Sequence, residues 1–329
     1  MTAPSPAAPT STRRITLERI EAAAQAIDPV FLHTPQWICE PLGEELGARV
    51  ALKAETLNPI RSFKGRGADW LVRNLPPGAA LMCASAGNFG QAMAYTCRAR
   101  GVPLTVYAAE QANPLKIARM RAMGARVVLA GEDFDAAKSL AREQASREGA
   151  RFVEEGRDPE PSEGAGTIAL EWLAFPERLD ALLVPIGNGA LLAGIATVLQ
   201  ARRPETRIVA VGATGAPAMI ESLRSGRTIN HDRIDTIADG IGVRVPVPEA
   251  LDDLHELVDE LLLVPDDCIL RAMRLLHRHA GVVAEPSGAA GLAAVVQEPT
   301  RFAGQTVGTV ICGGNLTPAQ MREWLTEPT

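Results

Sequence analysis

The sequence predicts an α/β chain built on two parallel-type twisted sheets with flanking helices. Three observations carry this. From about residue 79 onward, short β-rich apolar runs alternate with longer helical segments, the sequence form of repeated βαβ units. Several Gly-rich turns fall directly after predicted strands and before predicted helices, where doubly wound sheets gather ligands. A polar, Pro/Glu/Gly-rich stretch at residues 154–164 interrupts the alternation and separates two runs of it, one for each sheet. At 329 residues the chain has room for about two domains.

In order, residues 79–83 read as a buried strand and 89–100 as the helix after it. Residues 102–107 form the next strand, followed by a helix with Asn113 as N-cap and Pro114 at its first position. Residues 126–129 are a strand, 133–148 a helix and 150–153 a strand. Past the polar interruption come a helix at 167–175, a strand at 182–185, a helix at 190–202 and a strand at 207–211. Residues 226–248 are irregular, a loop region carrying Thr236 to Gly240. The remainder reads as a strand at 261–264, a helix at 266–280, a helix at 287–296 capped by Ser287, and a buried strand at 307–311. The division expected is a disordered tail at 1–12, a large domain in two parts (13–76 and 154–329) and a small domain at 77–153. No internal repeat is visible.

Hydrophobic residues at 47%, charged residues at 22%, 29 Gly and 24 Pro exclude collagen, coiled coil and wholesale disorder. A formal charge of −6 leaves no basic excess to neutralise nucleic-acid phosphates or an anionic membrane, so neither partner is expected. Residues 181–199 are uncharged and long enough for a membrane span, yet Pro185 and Gly187-Asn188-Gly189 divide them into strand, turn and helix. Arg13-Arg14 is followed by charged rather than apolar residues, which argues against an export signal. The five Cys are widely spaced, with no C-x-x-C pair and no His at zinc spacing, so a reduced, cytoplasmic setting and no metal site are expected.

Four segments at predicted strand ends could carry chemistry. Gly187-Asn188-Gly189-Ala190, opening a helix, offers backbone N–H groups to a phosphate, although a plain strand-to-helix turn would look the same. It is neither a G-x-G-x-x-G fingerprint, since Leu192 occupies the sixth position, nor a P-loop. In Ser62-Phe63-Lys64-Gly65-Arg66-Gly67-Ala68 the lysine is either a desolvated amine able to form a Schiff base or an ordinary surface lysine. Ser85-Ala86-Gly87-Asn88-Phe89 opens a helix and offers N–H groups and a hydroxyl to a carboxylate. Cys312-Gly313-Gly314-Asn315 places a thiol at the end of an apolar strand, as a functional group or as a buried structural Cys.

Taken together and in this order, these segments resemble the fold-type II pyridoxal-phosphate enzymes, specifically the serine/threonine dehydratase group, whose architecture is tryptophan-synthase-β-like. Leu52-Lys53-Ala54-Glu55, Gly164 to Ala169, Ala238-Asp239-Gly240 and Glu285 to Ala290 extend the match over most of the chain. The resemblance implies that Lys64 carries pyridoxal 5'-phosphate (PLP) as a Schiff base and that Phe63 packs on the pyridine ring. It further implies that Asn88 holds the ring hydroxyl, that Gly187, Asn188, Gly189, Ala190 and Leu191 hold the phosphate, and that Cys312 meets the pyridine nitrogen. Ser85, Ala86, Gly87, Asn88 and Phe89 would take the substrate carboxylate. The activity implied is β-elimination: dehydration and deamination of a 3-hydroxy amino acid such as L-threonine or L-serine to a 2-oxo acid and ammonia. A homodimer is expected. A β-replacement synthase, an amino-acid racemase of the same fold and a non-catalytic PLP-binding protein are the alternatives.

The chain departs from the group's pattern at four places. Phe89 stands where many relatives have His, and Gly156 where they place Asn or Asp. Asn188 and Ala190 interrupt the all-Gly phosphate turn, and Gly212 lacks the carboxylate with which some relatives bind a divalent cation. Arg61 and Arg157 read as surface residues, and none of the five His shows a partner pattern.

Overall fold

A computed structural model describes residues 13–326; the expected tail at 1–12 lies outside the described residues. Within them, ten strands form two sheets. The strands are β1 (Gln36–Ile38), β2 (Arg49–Ala54), β3 (Leu81–Ala84), β4 (Leu104–Ala108), β5 (Arg126–Leu129), β6 (Arg151–Val153), β7 (Ala181–Pro185), β8 (Arg207–Ala213), β9 (Glu260–Val264) and β10 (Thr306–Ile311). The larger sheet has the order β1-β2-β10-β7-β8-β9 and the smaller one β5-β4-β3-β6. All pairs are parallel except β1 with β2.

Helices cover both faces of the larger sheet, so its central strands read as continuous apolar runs; every residue of β7 is buried. Helices Asp266–Ala280 and Pro286–Gln297 pack on one face, Glu160–Trp172 and Ala190–Arg202 on the other. A third apolar cluster joins helices Lys64–Arg73 and Asn88–Arg100 to β3 and β4 of the smaller sheet.

The structure corrects the sequence reading in three places. The helix expected at 167–175 runs over Glu160–Trp172, through the stretch read as a polar interruption. Its Pro161 sits in the first turn, where a missing N–H costs nothing. Gly164 serves close approach rather than a turn, since a Cβ there would lie 2.4 Å from Gly67 Cα in the neighbouring helix. The helix expected at 287–296 begins at Pro286 with Glu285 in the cap position, and Ser287 does not cap it; its hydroxyl is buried without a partner. Strands β1 and β2 lie before the alternation begins, and β1 pairs antiparallel at the sheet edge.

Candidate active site

A cleft of about 600 Å³ opens between the two sheets. The carboxyl ends of four strands feed it: β3 leads into Ser85 to Phe89, β6 into Glu154 and Glu155, β7 into Asn188 and β10 into Cys312. This is the edge at which parallel sheets leave side chains and helix N-termini free for a ligand.

Lys64 begins the helix Lys64–Arg73. The preceding segment is tied to the end of β10 by a bridge between Ser62 and Gly313 and by donation from Phe63 N to Cys312 O (3.0 Å). Its ammonium therefore lies in the cleft, 4.6 Å from the centre of the Phe63 ring, and not at the surface. Lys64 Nζ donates to Glu155 Oε1 at 2.5 Å. Beneath it, fully buried Arg66 donates to Glu55 (2.8 Å) and to Glu171 (2.6 Å), and buried Lys53 donates to Glu171 at 2.5 Å. Two cations meet two carboxylates there, so no buried charge is uncompensated. Burial pushes the Glu171 carboxyl up, but Arg66 and Lys53 outweigh it and hold it down at about 2.

Ser85 Oγ accepts from Gly87 N and Gly90 N, both at 3.1 Å, which folds the loop around the start of helix Asn88–Arg100. Asn88 is held from both ends of its amide: Nδ2 donates to Glu285 Oε1 (2.5 Å) and Oδ1 accepts from Asn315 Nδ2 (2.9 Å). Glu285 also accepts from Asn315 N at 2.9 Å. Burial first, and Asp239 second, push the Glu285 carboxyl up to about 7. Cys312 Sγ lies 3.5 Å from Ser287 O, and burial pushes its thiol up to about 12, so the sulfur is a neutral thiol at physiological pH.

Gly187, Asn188 and Gly189 form the turn between β7 and helix Ala190–Arg202, with Gly189 at φ 85°, in the left-handed region that favours glycine. Among the described residues, the amides of these three donate to nothing in the chain, whereas Ile186 N on one side is bonded to Val211 O. Asn188 lines the cleft; Gly187, Gly189, Ala190 and Leu191 lie alongside it in the turn and first helical residues. A phosphate suits that row of free amides at a helix N-terminus. With a half-buried lysine in the cleft, an apolar ring face at Phe63, an unpartnered Ser287 hydroxyl and a neutral thiol, the residue set fits PLP.

Of the residues expected from sequence, Phe63, Lys64, Ser85, Ala86, Gly87, Asn88, Phe89, Asn188 and Cys312 line one cleft. Glu155 was not among them, and Glu285 and Asn315 were seen only as parts of motifs. Gly156 sits at φ 84° just past the Glu155 that meets Lys64, so the side chain at this corner comes from the neighbouring position. Arg157 pairs with Glu249 at 3.1 Å. His231, read as having no partner pattern, lies 2.7 Å from Glu221, and His279, read as solvated on its helix, lies 2.8 Å from Glu45; neither side chain lines the cleft. Among the described residues no group of three or more His, Cys, Asp or Glu is placed to hold a metal ion.

The family model described as "Pyridoxal-phosphate dependent enzyme" matches residues 27–313. The L-threonine ammonia-lyase of Thermotoga maritima is 35% identical over 305 residues, 92% of this chain and 76% of that protein. The biosynthetic L-threonine dehydratase of Bacillus subtilis is 31% identical over 316 residues, 94% of this chain and 75% of that protein. Among solved structures, the T.th. threonine deaminase superposes with a TM-score of 0.87 at 34% identity, covering 92% of this chain and 99% of that one. Maize serine racemase superposes with a TM-score of 0.88 at 25% identity, covering 94% and 96%.

Proposed function

Because this chain belongs to the pyridoxal-phosphate-dependent enzyme family, we propose that it is a PLP-dependent lyase that dehydrates and deaminates a 3-hydroxy amino acid to a 2-oxo acid and ammonia. The observation that carries this reading is the convergence of Lys64 and the Ser85 to Phe89 loop on one cleft, in a chain whose relatives are threonine ammonia-lyases.

In this reading Lys64 holds PLP, Phe63 lies against its ring, Asn88 meets the ring hydroxyl and Cys312 the ring nitrogen. The turn from Gly187 to Leu191 holds the phosphate with its free amides. When bound, the cofactor supplies an electron sink for the Cα–H bond pair. Lys64 Nζ, displaced by the substrate amine, takes the Cα proton as general base. Glu155, 2.5 Å away, keeps that nitrogen on one side of the cleft. The amides at the start of helix Asn88–Arg100, with the Ser85 hydroxyl, receive the substrate carboxylate. The Cα–H electrons would close the Cα–Cβ double bond as the Cβ–O bond breaks, so that the proton lost from Cα and the hydroxyl lost from Cβ leave in sum as one water, and the released enamine, tautomerised to the imine, takes up water to give the 2-oxo acid and ammonia. Cys312, neutral up to about 12, brings no negative charge to the ring nitrogen and so favours prompt elimination over a long-lived carbanion.

We place the small domain at 77–153 and the large domain at 13–76 and 154–329, a division supported by β3 to β6 forming their own sheet. A cytoplasmic homodimer completes the reading: Cys39, Cys83, Cys97, Cys268 and Cys312 are all unpaired, as in a reducing compartment. Among the described residues no helix is long and apolar enough to cross a membrane. The test is 2-oxo acid release by the purified, cofactor-loaded protein from a panel of amino acids. Release from 3-hydroxy amino acids and not from their 3-deoxy counterparts supports the lyase; retention of an intermediate that yields product only with an added nucleophile points to a β-replacement synthase instead.

A further inference from the structure

We propose that the preferred substrate carries a bulky apolar group on Cβ, an aryl or branched alkyl chain, in place of the methyl of threonine or the hydrogen of serine. This inference rests on the lyase reading above and deepens it.

The cleft is lined by more large apolar side chains than a site for a small hydroxy acid requires. Four of the chain's seven Phe line it: Phe63, Phe89, Phe134 and Phe152. Large apolar side chains grouped in water are the informative exceptions on a folded surface, because burying them is favourable. Among the described residues seven such side chains are exposed, and three of them, Phe134 at 47%, Ile234 at 40% and Val245 at 39%, line this cleft. They come from two segments far apart in the chain, Phe134 from the start of helix Phe134–Glu148 and the other two from the irregular segment 226–248, which Arg244 ties together through Asp133 and Asp135. Phe63 and Phe89, both nearly buried, also line the cleft.

The charged groups of the cleft do not compete for the substrate side chain, because nearly all are paired with one another. Arg244 bonds Asp133 (3.0 Å) and Asp135 (2.5 Å), Lys138 meets Glu154 (3.2 Å), Lys116 meets Asp239 (2.8 Å), and Lys64 meets Glu155 (2.5 Å). Arg233, exposed at the rim, is the exception among the described cations lining the cleft. An acidic substrate side chain would have that single solvated arginine to meet, the other lining cations being already paired and the lining carboxylates repelling it.

The experiment uses the cofactor-loaded full chain and two readouts. The first is kcat/KM for 2-oxo acid release from 3-phenylserine, 3-hydroxyleucine, threonine, serine and 3-hydroxyaspartate. The second is binding of the non-eliminable phenylalanine, leucine and alanine, followed by the visible absorption of the cofactor. Phenylserine and hydroxyleucine are expected to exceed threonine by about tenfold or more, the discrimination a few buried carbons provide, and phenylalanine to bind tighter than alanine by a similar factor. Phe134→Ser and Ile234→Ser, both at exposed positions, should each lower the phenylserine to threonine ratio about threefold to tenfold. Threonine equal to or better than phenylserine overturns the inference, as does a preference for 3-hydroxyaspartate. Variants that slow all substrates equally also overturn it, since the apolar rim would then serve only to close the cleft. If no hydroxy amino acid releases 2-oxo acid, the lyase reading fails, and the binding series still decides this inference: phenylalanine no tighter than alanine refutes it.

Discussion

Ala86 decides more about the chemistry than its size suggests. It lines the cleft between Ser85 and Gly87, and its methyl can neither give nor take a proton. Racemisation needs a second acid/base opposite Lys64, whereas elimination needs proton removal from one face only. A single enantiomer of a 3-hydroxy amino acid should therefore yield 2-oxo acid while its mirror image stays near background on chiral chromatography. Accumulation of the mirror image as fast as 2-oxo acid would show that a second base acts. Glu285 offers a prediction about stability. Its carboxyl, at about 7 in the fold against an ordinary 4.5, is protonated more readily folded than unfolded. The stability this provides is complete below pH 4.5 and is lost as pH rises through about 7. Urea midpoints of the cofactor-free protein should fall across that window, by up to about 3 kcal/mol in unfolding free energy, and Glu285→Gln should flatten the slope. An unchanged slope in the variant would assign it to other groups.

At the scale of elements, the helix Lys64–Arg73 owes its position to the charge cluster under it. Arg66 and Lys53 hold Glu171 at about 2, below its ordinary 4.5, so its contribution is present above pH 4.5 and is lost as pH falls through about 2. Glu171→Gln leaves Arg66 with Glu55 as its one carboxylate and Lys53 without a carboxylate within bonding distance. Breaking such a buried pair costs about 3–5 kcal/mol, so the variant should unfold at clearly lower urea; a midpoint within error of the parent would make the cluster dispensable. Ser85 to Phe89 and Cys312 stood out in the sequence because each follows an apolar strand in a turn of small or polar residues, whereas Lys64, with no strand read before it, was singled out by the small and aromatic residues around it and by the order of the motifs along the chain. Glu155 was not, because its meeting with Lys64 depends on how β6 and the lysine helix come together, 91 residues apart. Helix Glu160–Trp172 was half missed for a related reason: Gly164 and Pro161 look like breakers locally, and only the neighbouring helix shows that glycine there makes room. β2 was hidden by Lys53 and Arg49, charges in a strand whose parallel partner, β10, lies far along the chain.

For the whole molecule, the two sheets bring four strand ends to one cleft, and of the lysines lining it Lys64 is the one set against Phe63. The position where some relatives offer a carboxylate to a divalent cation is Gly212, packed instead against Ile220 and Leu263. Hard cations need oxygen ligands, so EDTA should leave turnover unchanged; loss of activity restored by Mg²⁺ or Ca²⁺ would contradict this. The central claim is that one amine both tethers the cofactor and removes the Cα proton. It is tested by 2-oxo acid release from a 3-hydroxy amino acid by cofactor-loaded Lys64→Ala beside the parent, with circular dichroism confirming the fold of both. The variant is expected to fold while its release falls by at least about a thousandfold, the loss that follows when nucleophile and base are removed together. A folded, cofactor-loaded variant that keeps substantial turnover would contradict it.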